Sequence, residues 1–184
     1  MSRVHIVTLA RLNRAESRVV SELKRHGLWD ERLEAVDVCL VTFAAEYGYQ
    51  RYGSTGEICV PMFSVARICD IVRGGYVSLA DLLRHEYGHA LADTHRGLFR
   101  SRRFRDAFGT HHDDPDEFEY DPEFHVSEYA AAGASEDFAE VFMVYLRHGG
   151  DLPAWHDTPV IRRKWSFVRR LGAATKQGRT RWLS

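Results

Sequence analysis

Residues 82–97 read LLRHEYGHALADTHRG, and the way this stretch folds decides the architecture around it. Just before it, Gly74-Gly75 marks a turn, and Ser78 with Asp81 resembles a capping box in which Asp stands where Glu or Gln is usual. The spacing therefore predicts a helix opening at Ser78, with Leu82, Leu83 and Leu91 as flanking apolar positions. Within it, His85-Glu86-Tyr87-Gly88-His89 has the pattern HExxH. Residues four apart lie about 40° apart around a helix, so both imidazoles can reach one metal ion, with Glu86 beside them as a base and not a ligand.

Working outward from this helix, the upstream chain carries strand signals. Val4–Leu9 (VHIVTL) is β-rich, Asn13 looks like the N-cap of a helix using Ala15, Val19, Val20 and Leu23, and Gly27 ends that helix. Ala35–Ala44 (AVDVCLVTFA) suits an interior strand. Glu57–Phe63 (EICVPMF) reads as a shorter strand which Pro61, lacking a backbone donor, places at an edge. Downstream the signals turn helical. Residues 98–108 form a basic amphipathic segment with Leu98, Phe99, Phe104 and Phe108 as its apolar positions. Residues 110–124 are acidic, contain Pro115 and Pro122, and read as a surface loop. Ser135 then caps a helix with the stripe Phe138, Phe142, Tyr145 and Leu146, stopped by Gly149-Gly150. Thr158-Pro159 opens a last helix running to about Leu171. Strands first and helices later is an α+β pattern. We expect one domain over residues 1–184: a sheet part in 1–76, the active-site and glutamate helices in 77–173, and a basic tail in 174–184.

Composition narrows the function classes. A chain of 184 residues that is 45% hydrophobic can bury one proper core. Its formal net charge of −1 gives no general attraction to nucleic acid or to an anionic membrane. Cys39, Cys59 and Cys69 lack the spacing of a cysteine metal motif and sit among apolar neighbours, which favours free thiols in a reducing compartment. The sequence has no standard signal peptide and no run of about 18 apolar residues, so we expect a cytoplasmic protein or one exported by a non-standard route. Charge is nevertheless uneven. Asp113–Glu123 holds seven acids, while the chain after Asp157 carries only basic charges. Both are expected to be solvated surfaces; the sharper alternatives are a loop covering a cleft or binding a cation such as calcium, and a tail docking a partner, nucleic acid among the candidates. Oligomeric state is not written in these patterns.

Catalytic zinc of the HExxH kind takes three protein ligands and leaves a position for water, which the metal acidifies to a pKa of about 7. Two residues compete for the third place. His95, six residues beyond His89, fits the metzincin spacing HExxHxxGxxH, but Ala92 stands where glycine lets the chain turn sharply out of the helix. No later segment supplies a clear Met-turn. The rival is Glu136 in ASEDFAEVFMVYL. Glu136 and Glu140 share a helix face, so one can bind zinc while the other hydrogen-bonds a ligand histidine from behind. Two carboxylates on an otherwise apolar helix need such partners when buried.

HEYGHALAD followed by SEYAAAGASEDFAEVF resembles the gluzincin zinc metallopeptidases, and within them the group around the catalytic domain of anthrax toxin lethal factor. The resemblance is anchored in residues 78–147. It implies a zincin-like fold: a small mixed sheet whose edge strand lies over the active-site helix, then a mainly helical C-terminal half. It implies one Zn2+ per chain held by His85, His89 and Glu136, with Glu86 as general base and Glu140 as a supporting carboxylate. The tyrosine that faces the oxyanion in this family corresponds to Tyr129; His125, one helical turn earlier, is a weaker candidate. Zincin edge strands pair with extended substrate, a role we assign to Glu57, Ile58, Cys59 and Val60 within Glu57–Met62. The expected activity is hydrolysis of a peptide or protein substrate, most simply by an endopeptidase. The alternatives are a metzincin-type peptidase using His95, or a non-catalytic zincin-like module that binds zinc or a protein partner.

Overall fold

The computed structural model describes residues 6–42, 48–52, 55–62, 78–113 and 118–177. Helix α1 spans Leu9–His26. A 3-10 turn at Leu33–Ala35 leads into strand β1 (Val36–Val41), followed by β2 (Gly48–Tyr52) and β3 (Thr55–Pro61). Helix α2 is Leu79–Thr94 and carries the HExxH pattern; short helices α3 (Arg96–Phe99) and α4 (Arg102–Phe108) follow. After a 3-10 turn at Tyr129–Ala132 come α5 (Ala134–Arg147), a 3-10 turn at Ala154–His156 and α6 (Pro159–Lys176). The architecture is α+β, with a three-stranded mixed sheet and a mainly helical C-terminal half. No helix among the described residues is long and apolar enough to cross a membrane.

The strand order is β1-β3-β2, with β1 parallel and β2 antiparallel to β3. This corrects the placement of Glu57–Val60: among the described residues they lie on the central strand, and β2, which was not among the expected strands, is an edge. Among the described residues β2 pairs with β3 as far as Cys59, and Met62, the residue after Pro61, donates to Val41 on β1. Since backbone donors alternate along a strand, the Pro61 nitrogen faces away from β1, and the pairing of β3 with β1 needs no donor from it. The Ala35–Ala44 run supplies β1, at the other edge and not the interior, and most of its side chains are only half-buried.

Several boundaries also move. Val4 and His5 lie outside the described residues, and Ile6–Thr8 is not a strand, although Val7 N–H donates to Met62. Thr8, not Asn13, caps α1: its backbone is extended and its Oγ1 accepts from Arg11 N–H at 3.3 Å. Ser78 caps α2 as the sequence indicated, accepting from Asp81 N–H while its hydroxyl donates to the Asp81 carboxylate. The 98–108 segment breaks in two because Ser101 caps a new helix by accepting from Phe104 N–H. The Ser135 cap is displaced to Gly133, and Ser135 sits inside the first turn of α5. Thr158 caps α6, which continues past Leu171 to Lys176; Gly178–Ser184 of the basic tail, Gly74-Gly75, Cys69 and Asp114–Glu117 of the acidic loop lie outside the described residues.

The core positions α2 against α5. Gly88 meets Ala139 so closely that a Cβ there would lie 3.2 Å from the Ala139 Cα and 3.3 Å from Phe142 Cδ1. Phe99, Phe104, Phe108, Phe138 and Phe167 pack together and tie α3, α4, α5 and α6. A buried charge network adds direction. Arg84 on α2 grips Glu22 on α1 through Nε and Nη2, both at 2.8 Å, and also contacts Asp81, which Arg147 on α5 reaches at 2.9 Å. Buried charges of this kind persist only when paired, so the network fixes how three helices meet.

Candidate metal centre

The α2–α5 contact brings three donor atoms to one point. His85 Nε2 and His89 Nε2 lie 3.0 Å apart, and Glu136 Oε2 lies 3.1 Å from the first and 3.3 Å from the second. A tetrahedral ion with bonds of about 2.0–2.1 Å separates its donors by about 3.3 Å, so this trio fits such an ion. Glu136 Oε2 is buried and, despite that proximity, makes no hydrogen bond of good geometry. Three atoms rich in lone pairs facing one another require a proton or a cation between them. Without a metal, the proton takes that role. Burial opposes charge on His85, but Glu136 and Glu140 outweigh it and push its pKa up to about 10. Burial likewise opposes charge on Glu136, yet the two histidines hold its carboxyl well below the usual range.

Behind the donors stands a second layer. His85 Nδ1 is 2.9 Å from Glu140 Oε1, and Ser127 Oγ donates to the other oxygen of Glu140, which is fully buried. Ser135 Oγ lies 3.3 Å from His89 Nδ1, which accounts for its position inside α5. Such partners fix imidazole tautomer and direction.

Glu86 lies beside the trio and is 7% exposed. Its Oε2 accepts from the Tyr49 N–H of β2 at 2.7 Å. Gly48 permits this approach: it has φ +102°, and a Cβ there would come within 3.1 Å of the Glu86 carboxylate. Tyr129 is half-buried at the same cavity, its ring 5.7 Å from that of His85. The open cavity here measures about 570 Å³, and Arg51, Asp93, Arg96 and His112 also line it.

The structure does not bring His95 to this cluster. The helix continues unbroken through Ala92 to Thr94, so His95 lies about 240° around the axis from His89. Its Nε2 pairs instead with Asp30 Oδ2 at 2.8 Å, and its Nδ1 faces the Leu91 carbonyl. His125 is also elsewhere, with its Nδ1 accepting from Asp121 N–H. Glu57–Val60 are separated from the cavity by β2, whose Gly48, Tyr49 and Arg51 line it. The sequence reading missed these β2 residues, Ser127, Ser135 and His112. The pattern GYQRYG, aromatic residues bounded by glycines, was the available signal for β2. His112 falls in the segment read as an exposed loop, yet its ring is wedged against Phe99 and Phe104, and burial pushes its pKa down. A second group able to hold a metal, Cys39, Glu57 and Cys59, lies on the sheet.

No protein-family model matches this sequence, and no curated protein or solved structure was found to match it.

Proposed function

We propose that this chain is a zinc-dependent peptidase of the gluzincin type, hydrolysing peptide bonds in the cavity between β2, α2 and α5. The observation that carries the reading is the meeting of His85 Nε2, His89 Nε2 and Glu136 Oε2 within 3.3 Å, with Glu86 alongside. In this reading those three side chains hold the metal, and Glu140 orients His85 through Nδ1. When bound, zinc polarises a substrate carbonyl and acidifies water.

The remaining roles belong to the chain. Tyr49 N–H engages Glu86 Oε2, leaving Oε1 to take a proton from the attacking water and return it to the departing amine. The phenol of Tyr129 supplies a donor for charge developing on the carbonyl oxygen. The Tyr49–Glu86 bond also fixes the strand's orientation. Since Tyr49 N–H points away from β3, the main chain at Tyr49 and Arg51 faces the cavity side, where an extended peptide can add to the sheet. Binding through main-chain bonds is tolerant of sequence, and the charged rim of Arg51, Asp93 and Arg96 provides side-chain selection. A pure binding module has no use for a base held beside the metal ligands, which favours turnover.

The test is cleavage of a peptide library by protein stripped with a chelator and reloaded with zinc, with Glu86→Gln in parallel. We expect zinc-dependent cleavage, reduced at least about 100-fold in Glu86→Gln. Turnover indifferent to that substitution would sink the mechanism.

A further inference from the structure

We propose that Cys39, Glu57 and Cys59 form a second cation site, selective for a thiophilic divalent ion of the zinc kind and independent of the histidine cluster. The site is built by strand register. Cys39 on β1 pairs directly with Cys59 on β3, and Asp37 pairs with Glu57, so the alternation of side chains puts Cys39, Glu57 and Cys59 on one face. The opposite face carries Ile58 and Val60, both fully buried in the core. Glu57 and Cys39 are half-buried on the outer face, within reach of an incoming ion.

The three donor atoms converge. Cys39 Sγ is 3.7 Å from Cys59 Sγ and 2.9 Å from Glu57 Oε1, and all three lie within 4.8 Å of one another. Neither cysteine is disulfide-bonded, their separation being far beyond a disulfide bond of about 2.05 Å. It matches the distance of about 3.8 Å that a tetrahedral ion with sulfur bonds of about 2.3 Å imposes on two thiolates. Without an ion, the Cys39 thiol donates to Glu57, and burial together with that carboxylate and the neighbouring thiol pushes its pKa up to about 12. A carboxylate facing two thiols is not what packing on a sheet requires. A cation would replace the Cys39–Glu57 hydrogen bond: both thiols release their protons to solvent, and two thiolates plus Glu57 become ligands. Two sulfurs and one oxygen favour zinc-like ions over magnesium or calcium. Three protein donors leave a fourth position for water or an exogenous ligand. An ion there would clasp β1 to β3, the strand on which β2 is built.

The full-length, metal-free protein is titrated with Co2+, whose thiolate-to-metal charge-transfer band reports sulfur ligation alone and is blind to the histidine cluster. We expect the band to be complete by two equivalents, one of them taken silently by the histidine cluster, to vanish in Cys39→Ala and in Cys59→Ala, and to need about tenfold more cobalt in Glu57→Gln. The wild-type protein supplies a check that requires no variant to fold: zinc should slow alkylation of Cys39 about tenfold. Absence of the band at saturating cobalt, its persistence in Cys39→Ala, or alkylation of Cys39 unchanged by zinc overturns the proposal.

Discussion

The two clusters of would-be ligands are built in opposite ways. His85, His89 and Glu136 meet because two helices, α2 and α5, pack at one angle, and hydrogen bonds from Glu140 and Ser135 stand behind the imidazoles. Cys39, Glu57 and Cys59 meet because adjacent strands are in register. The first arrangement depends on the core of the whole domain. The second depends on a ladder of backbone bonds between neighbouring strands. Helix packing can be shifted by a single side chain, whereas register moves only if the ladder breaks, so the same perturbation should affect the clusters unequally.

The largest such perturbation is Arg84→Ala. Arg84 is almost wholly buried and ties Glu22 of α1 and Asp81 of α2 into the network that Arg147 extends to α5. Removing it leaves two buried carboxylates short of a partner. Arg18 still reaches Glu22 and Arg147 still reaches Asp81, so the cost should fall near the low end for a broken buried pair, about 3 kcal/mol. Urea unfolding of the metal-free protein checks this. A loss under about 1 kcal/mol would mean that the network is no keystone of the helix arrangement.

Gly88→Val tests the packing more locally. The new side chain would press on Ala139 and Phe142, and overpacking of this kind typically costs about 1–3 kcal/mol. Forcing α5 away from α2 should also weaken zinc binding at the histidine cluster by more than about tenfold, while the cobalt–thiolate band of the sheet keeps its midpoint. Parallel loss of both would show that the sheet is not independent of the helix pair.

The difference between the clusters also explains what the sequence disclosed. Helix α2 was legible because Ser78, Asp81 and the leucines signal a helix locally, and a helix at once fixes His85 relative to His89. Glu136 could be placed on a helix, yet its meeting with His89 is a property of the packed core; residue spacing offered His95 just as readily. Sheet order was the least legible feature. Pro61 pointed to an edge, but a proline excludes pairing only on the side its nitrogen faces, and on the other side Pro61 pairs with Val41 of β1. The thiol cluster was hidden for the same reason: Cys39 and Cys59 become neighbours only once β1 and β3 are known to be parallel and in that register.

Glu140→Gln should have the smallest effect on folding and is the most specific to the comparison, since the sheet cluster takes its geometry from register. The substitution keeps the shape of a fully buried side chain but removes its charge. A carboxylate accepts from both His85 Nδ1–H and Ser127 Oγ–H. An amide accepts through one oxygen only, so either the serine hydroxyl turns away or the imidazole loses its anchor. With its carboxylate partner gone, His85 becomes a less basic and less well-directed donor to a metal, and zinc affinity should fall by about 10–100-fold. Competition against a chelator of known affinity measures this, and the cobalt–thiolate titration of the same variant should superimpose on that of the unsubstituted protein. Unchanged zinc affinity would mean that Glu140 is buried beside His85 without acting through it, leaving the support of the helix-built cluster to Ser135, behind His89.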